Sequence, residues 1–239
     1  MSTPALRRRI ATRLEWQQRV SDPAIEPRNR LPTLAPLRAW QARRLEASFA
    51  DFLAVPRTRP AAAFFLSDLY GDRDFSGRDR DVARIMPLMS RLLPESLLAT
   101  AADAIELAVL SHAFDLRMAE ALAARPRPSA AITLAAYGRA YRQVGRARLR
   151  RHQIDLIDRV GRMLDAAVHR HGVFRLLRAS RLPARAAGLS GLQGFLERGF
   201  TAFAELDGAD DFLDAIVARE REASRRLFAG DPDPFPGFR

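Results

Sequence analysis

The stretch PESLLATAADAIELAVLSHAFDLRMAEALAA, from Pro94 to Ala124, decides the fold class. Its apolar residues, among them Leu98, Val109 and Leu116, recur at the three- and four-residue spacing of one helix face. Pro94 suits the first position of a helix, where its missing N–H costs nothing. The two prolines at 126 and 128 then end the pattern. The stretch therefore predicts one long amphipathic helix.

Helical spacing continues on both sides of this stretch, and no segment keeps the two-residue alternation of a strand. Further helices are predicted near residues 33–55, 60–70, 77–93, 129–144, 146–171, 173–181, 189–206 and 209–228. We therefore predict an all-α protein with a single-domain bundle of about eight helices and no significant β-sheet, over residues 33–228. Residues 1–32 are predicted to form a basic helix and a proline-containing arm. Residues 229–239, with three prolines, are predicted to be a disordered tail.

The segment FFLSDLYGDRDFSGRDRDVARIMPLMSRLLP, from Phe64 to Pro94, joins two of the predicted helices and is rich in charged residues. Gly71 suits a left-handed helix C-cap. Ser76, three residues before Asp79, is typical of a helix N-cap. Helix capping accounts for much of the segment but leaves several polar side chains unexplained. We take these, together with one carboxylate of the long helix, as candidate ligand-binding residues: Asp68, Tyr70, Asp74, Arg78, Asp79 and Glu106.

The pattern FFxxDLYGxxDFxxRDxD, between Phe64 and Asp81, resembles a family of uncharacterised bacterial helical proteins. A later segment, Gly191 to Phe200, is similar to that family too. The resemblance covers most of the chain after about Leu45. It implies a helical fold and brings no known activity with it, so it leaves the function open.

Several classes of chemistry are excluded by residues that the chain lacks. It has no cysteine, which excludes disulfides, thiol catalysis and cysteine-bound metals. All 39 residues of the lysine and arginine count are arginine, so lysine-based catalysis is excluded as well. The chain also lacks a P-loop, a dinucleotide-binding glycine pattern and a Gly-x-Ser-x-Gly elbow. The sequence points to no cofactor.

Histidines and half-buried carboxylates are the remaining candidates for catalytic or metal-binding groups. His112 and His152 each precede an aspartate by three residues. On a helical wheel, however, His112 falls on the apolar stripe and His152 falls away from that of its own helix, so we predict no metal site. His112 is predicted to be buried and hydrogen-bonded. Glu106 is predicted to pair with an arginine; alternatively, burial would raise its pKa for acid–base work.

The positive charge of the chain is concentrated in one region. Residues 116–204 hold 17 arginines and five acidic residues, a net charge of +12, while the remaining residues sum to −1. Such a region suits an anionic partner, whether a protein, a nucleic acid or a membrane surface. The alternative is a solvated face that pairs with the acidic residues between 205 and 214. The candidate anion-binding residues are Arg142, Arg146, Arg148, Arg150, Arg151, Arg175 and Arg178.

These observations favour a non-enzymatic protein that binds a partner or ligand through a helical bundle with a basic face. One alternative is small-molecule binding or catalysis at the segment around Asp68, Tyr70, Asp74 and Arg78. A second is nucleic-acid or anionic-membrane-surface binding through residues 116–204. The longest uncharged run is too short for a transmembrane segment, and no signal-peptide pattern opens the chain, so we expect a cytoplasmic protein. The sequence does not indicate an oligomeric state.

Overall fold

Every regular element in the described part of the protein is a helix, which confirms the predicted all-α class. The computed structural model describes residues 3–69, 95–124, 131–170 and 190–238, and the isolated positions 172, 175, 178, 179 and 181. The helices within these residues are α1 (Thr3–Ser21), α2 (Leu34–Ser48), α3 (Ala50–Ala54), α4 (Arg59–Phe64), α5 (Glu95–Ala123), α6 (Leu134–Val144), α7 (Ala147–Val168), α8 (Ser190–Ala204) and α9 (Asp210–Ala229). None of them is long and apolar enough to cross a membrane.

The long helix α5 lies at the centre of the bundle and contacts α1, α2, α6 and α7. Its predicted apolar stripe is buried as expected: Leu98 and Val109 are fully inaccessible, and Leu116 nearly so. Because neighbours cover the helix on several sides, its length follows from tertiary packing as much as from its own helix propensity.

One hydrophobic core is aromatic and includes the C-terminal tail. Trp40 of α2 stacks on Tyr137 of α6 with ring centroids 4.2 Å apart. Phe235 is only 3% exposed and packs edge-on against both rings, while Phe238 contacts Trp40 at 5.1 Å. The structure thus differs from the predicted disordered tail. The prolines of the tail do not keep it from packing, because Phe235 packs against the edges of Trp40 and Tyr137 and Phe238 packs against Trp40.

A second core joins α7, α8 and α9 to the short helices α3 and α4. Phe203 of α8 and Leu213 of α9 are fully buried there. Gly161 of α7 faces Leu213 so closely that a β-carbon at residue 161 would lie 2.4 Å from the Cδ2 atom of that leucine. The close approach of α7 and α9 therefore depends on glycine at this position.

The buried face of α7 includes an arginine, which its sequence spacing does not predict. This face includes Arg150, Ile154, Ile157 and Gly161. Leu149, one residue away, is 44% exposed. An arginine takes an inward position because aromatic rings on neighbouring helices receive its guanidinium, as described below.

The N-terminal helix α1, which the sequence predicts as a basic helix, packs against the bundle. Leu6, Ile10 and Leu14 are buried against Leu98 and Ala102 of α5. The helix thus shares a hydrophobic cluster with residues beyond the predicted boundary at residue 32. The apolar residues of α1 recur every four positions, which gives the helix one narrow face for packing.

Candidate anion-binding site

The connection between α6 and α7 is a tight turn that exposes arginines. Gly145 ends α6 with φ +65°, and its N–H donates to the Tyr141 carbonyl at 3.0 Å. Arg146 follows in the left-handed region with φ +63°, which is uncommon for a residue other than glycine. Its carbonyl accepts from the Arg150 N–H at 3.0 Å and so begins α7. The turn directs the first residues of α7 to the surface of the bundle.

Arg146, Arg148 and Arg151, here called the arginine cluster, are all exposed at this turn. In the described part of the chain, none of the three side chains forms an ion pair or a hydrogen bond. The first turn of α7 contains no acidic residue, and no side chain caps its free N–H groups. Since the N-terminus of a helix carries partial positive charge, cations here are unfavourable for folding and add to the local positive potential.

Arg142 is exposed, and one of its guanidinium nitrogens is held by the protein itself. Its Nη1 donates to the Leu227 carbonyl at 3.2 Å, at the last turn of α9. A cation suits this position because free carbonyls give the C-terminus of a helix partial negative charge. Arg142 therefore stabilises the docking of α6 on α9.

Arg150 is buried, so its assignment to the anion-binding surface is wrong. Only 7% of the residue is exposed, and its guanidinium carbon lies 3.6 Å from the Phe114 ring centre and 4.5 Å from that of Tyr141. Nη1 donates to Gln153 at 3.3 Å, while Nε and Nη2 have no hydrogen-bond partner. Two cation–π contacts thus replace the carboxylate that a buried arginine normally requires.

The remaining predicted residues of this group, Arg175 and Arg178, are exposed. Other arginines of the +12 region are paired within the protein. Arg162 binds Asp210 and Asp214 of α9, both at 2.5 Å. The predicted pairing with the acidic segment therefore occurs at Arg162 and does not extend to the arginine cluster.

Glu106 forms ion pairs, as predicted, and its alternative role as a raised-pKa acid is wrong. Burial by itself would raise the pKa of this carboxyl group. Hydrogen bonds from His152 and Arg13 and the charge of the arginines outweigh burial and lower the pKa to about 2. The lowered pKa favours the ionised carboxylate, which suits an ion pair and not a general acid.

The two histidines are both hydrogen-bonded within the bundle. His112 is half-buried and hydrogen-bonded: Nδ1 accepts from Arg38 at 2.7 Å, and Nε2 donates to the Val20 carbonyl at 3.1 Å. His152, predicted to face outward, instead reaches Glu106 of α5 at 2.8 Å. No cluster of three potential metal ligands occurs among the described residues.

The sequence predicted an arginine partner for Glu106 but did not identify which arginines would contact it. Arg9 and Arg13 of α1 and Arg159 of α7 all contact Asp103 or Glu106 of α5. The sequence does contain a pattern that favours these ion pairs. Two arginines lie four residues apart on one face of α1, and two carboxylates lie three residues apart on one face of α5. Sequence spacing alone does not show that the two faces meet.

The segment predicted to bind a ligand is described only at its beginning. Asp68 lies in a π-helical turn, Phe65–Leu69; Tyr70, Asp74, Arg78 and Asp79 lie outside the described residues. Beside this turn is an open cleft of about 640 Å³ between α4 and α8. Its lining combines an apolar side with charged groups: Pro60, Ala63, Phe64, Ser67, Arg178, Arg181, Glu197, Arg198, Thr201, Ala202 and Glu205.

Most of the chain matches the model of one protein family. Residues 21–234 match a family described as a domain of unknown function (DUF8198), and the chain is therefore a member of it. The match begins at the last residue of α1 and includes the arginine cluster, the cleft and both large cores except Phe235 and Phe238. No curated protein and no solved structure matches the chain.

Proposed function

We propose that this protein is a non-enzymatic binding protein that attaches to an anionic macromolecule through the arginine cluster. The observation that carries the proposal is that Arg146, Arg148 and Arg151 are exposed at one turn, and no carboxylate in the described residues pairs with them. Nearby arginines are used differently, since Arg142 caps a helix and Arg150 is buried. The cluster is thus a group of cations that serves no packing role.

The energetic arrangement supports this proposal. A cation in the first turn of α7, where Arg148 lies, costs about 0.3–1 kcal/mol at low salt. The left-handed backbone of Arg146 adds strain. Protein surfaces that are unfavourable for folding in this way often serve binding, because an anion relieves the repulsion and accepts hydrogen bonds from guanidinium groups.

The experiment compares two triple charge reversals by retention on heparin. The cluster variant carries Arg146→Glu, Arg148→Glu and Arg151→Glu. The control variant carries the same changes at three exposed arginines elsewhere in the described structure: Arg30, Arg43 and Arg57. Net charge is then equal in the two proteins, and only its location differs. We expect the cluster variant to elute at much lower salt than the control.

Three further probes identify the class of partner. They are a labelled DNA duplex, a polyglutamate peptide and vesicles containing anionic lipid. Binding to DNA would show a steep salt dependence, which falls by roughly 0.9 in slope for each phosphate contact removed. Preference for the peptide would indicate an acidic protein partner. If both variants elute together from heparin and bind all three probes alike, the cluster has no special role.

A second candidate function is supported by the cleft beside α4. Its volume of about 640 Å³ lies in the range of small-molecule sites, and Phe64 and Ala202 offer an apolar side next to charged groups. A thermal-shift screen of metabolites tests it. A ligand that raises the melting temperature of the wild type should lose this effect in Arg178→Ala, since Arg178 lines the cleft and is exposed.

A further inference from the structure

The helix α1 covers α5 as a layer of its own. Leu6, Ile10 and Leu14 pack against Leu98 and Ala102, and these residues form a hydrophobic cluster distinct from the two larger cores. Most of the remaining α1 surface is exposed, including Trp16 at 43%. Removal of α1 would therefore uncover a narrow apolar stripe on α5 and leave both large cores closed.

Two arginines of α1 bind two carboxylates of α5 beside this stripe. Nη2 of Arg9 contacts Oδ1 of Asp103 and, at 3.2 Å, Oε2 of Glu106. Nη2 of Arg13 contacts the same Oε2 atom. Asp103 is 6% exposed, so these contacts are shielded from water and depend little on ionic strength. The stripe and the carboxylates together fit a helix that is both apolar and basic.

The other oxygen of each carboxylate is held from α7. Nε2 of His152 lies 2.8 Å from Oε1 of Glu106, and Nε of Arg159 lies 3.2 Å from Oδ2 of Asp103. The α7 side chains thus fix both carboxylates and leave one oxygen of each directed to α1. Such a site is organised before its arginines arrive, which lowers the cost of binding.

The family boundary separates α1 from the surface that it covers. The matched region begins at residue 21, where α1 ends, and contains α5 and α7 in full. Residues 22–25, which connect α1 to the rest, are exposed, and Ile25 is 58% exposed. The surface beneath α1 is therefore part of the family domain, whereas its occupant is not.

From these contacts we infer that the surface of α5 and α7 beneath α1 is a docking site for a basic amphipathic helix of a partner protein. In this chain α1 occupies the site as a replaceable segment. The partner helix carries apolar residues at positions i, i+4 and i+8 and arginines at i+3 and i+7, the pattern shown by residues 6–14. Recognition of this kind uses one helix face laid into a groove.

The test uses the full chain with a protease site inserted between Asp22 and Ile25, and a fluorescein-labelled peptide of residues 1–21 as the probe. In the uncut protein the tethered α1 competes at an effective concentration of order millimolar, so the peptide binds weakly. After cleavage α1 can exchange, and we expect peptide affinity to rise at least ~10-fold. The uncut double variant Arg9→Ala, Arg13→Ala should also bind the peptide more tightly than the uncut parent.

Specificity is tested in the cleaved protein by Glu106→Gln, which should weaken peptide binding, and by Glu46→Gln, an exposed control in α2, which should not. The inference is wrong if the peptide fails to exchange into the cleaved, folded protein, or if Glu106→Gln and Glu46→Gln bind it equally. It is also wrong if the cleaved protein loses its helical circular dichroism signal once α1 is separated, because α1 would then be a permanent part of the fold.

Discussion

Replacement of Gly161 by alanine tests how closely α7 and α9 pack. The new β-carbon would lie 2.4 Å from Cδ2 and 3.0 Å from Cδ1 of Leu213, whereas carbon atoms normally pack 3.5–4.0 Å apart. Leu213 is fully buried and cannot move its side chain into solvent. Overpacking of this kind costs about 1–3 kcal/mol. Alanine regains about 1 kcal/mol of helix propensity, so we expect Gly161→Ala to destabilise the protein by about 0–2 kcal/mol.

Gly138→Ala is the matched control, since Gly138 is also an interior glycine of a buried helix face. A β-carbon there would meet its nearest atoms at 3.6 and 3.8 Å, which is ordinary contact. Only the gain in helix propensity remains, and stability should rise by up to about 1 kcal/mol. Urea unfolding followed by circular dichroism measures both variants. Equal or greater stability of Gly161→Ala relative to Gly138→Ala would refute the proposed packing of α7 against α9.

Three other predictions concern stability. Arg44→Leu should cost about 3–5 kcal/mol in urea unfolding, because it leaves Glu220 partly buried without its cation. Arg225→Leu, which breaks an exposed pair, should leave the stability nearly unchanged. The pKa of Glu106 is lowered from 4.5 to about 2, so its contribution to stability is complete above pH 4.5 and is lost as the pH falls through about 2. Glu106→Gln should therefore flatten the decline of melting temperature over that interval, and an unchanged decline would contradict the ion pairs. Phe235→Ala should cost about 3–5 kcal/mol, whereas a disordered tail would make it silent.

The helical class and the stripe of α5 could be predicted because both depend on local spacing. Leu98, Val109 and Leu116 repeat at helical intervals, and any partner surface would bury them. The ends of α5 were also close to the prediction, since prolines limit a helix through local geometry.

The inward direction of Arg150 could not be predicted in this way. Arg150 lies in an arginine-rich segment, and such segments usually form a solvent-exposed helix face. Its burial depends on rings of Phe114 and Tyr141, which belong to two other helices. The position of Phe235 depends likewise on a contact with Trp40, far away in the sequence. The burial of these two side chains depends on tertiary contacts, which the periodicity of the sequence does not show.

The sequence predicted the candidate anion-binding site only as a basic region, and the structure indicates which arginines of that region are exposed and unpaired among the described residues. Charge counting located the excess between residues 116 and 204 because net charge is a property of composition. Which arginines are exposed depends on the turn at Gly145 and on acceptors such as the Leu227 carbonyl. The sequence shows neither the turn geometry nor the neighbouring acceptors.

The most direct measurement of the proposed function is the equilibrium binding of a fluorescein-labelled heparin fragment at several salt concentrations. It compares the wild type with the triple glutamate variants of the arginine cluster and of the control arginines at 30, 43 and 57. We predict that the cluster variant loses both the affinity and most of its salt dependence, while the control keeps the salt dependence of the wild type. Equal losses in the two variants would contradict the account, since binding would then follow total charge and not the arginine cluster.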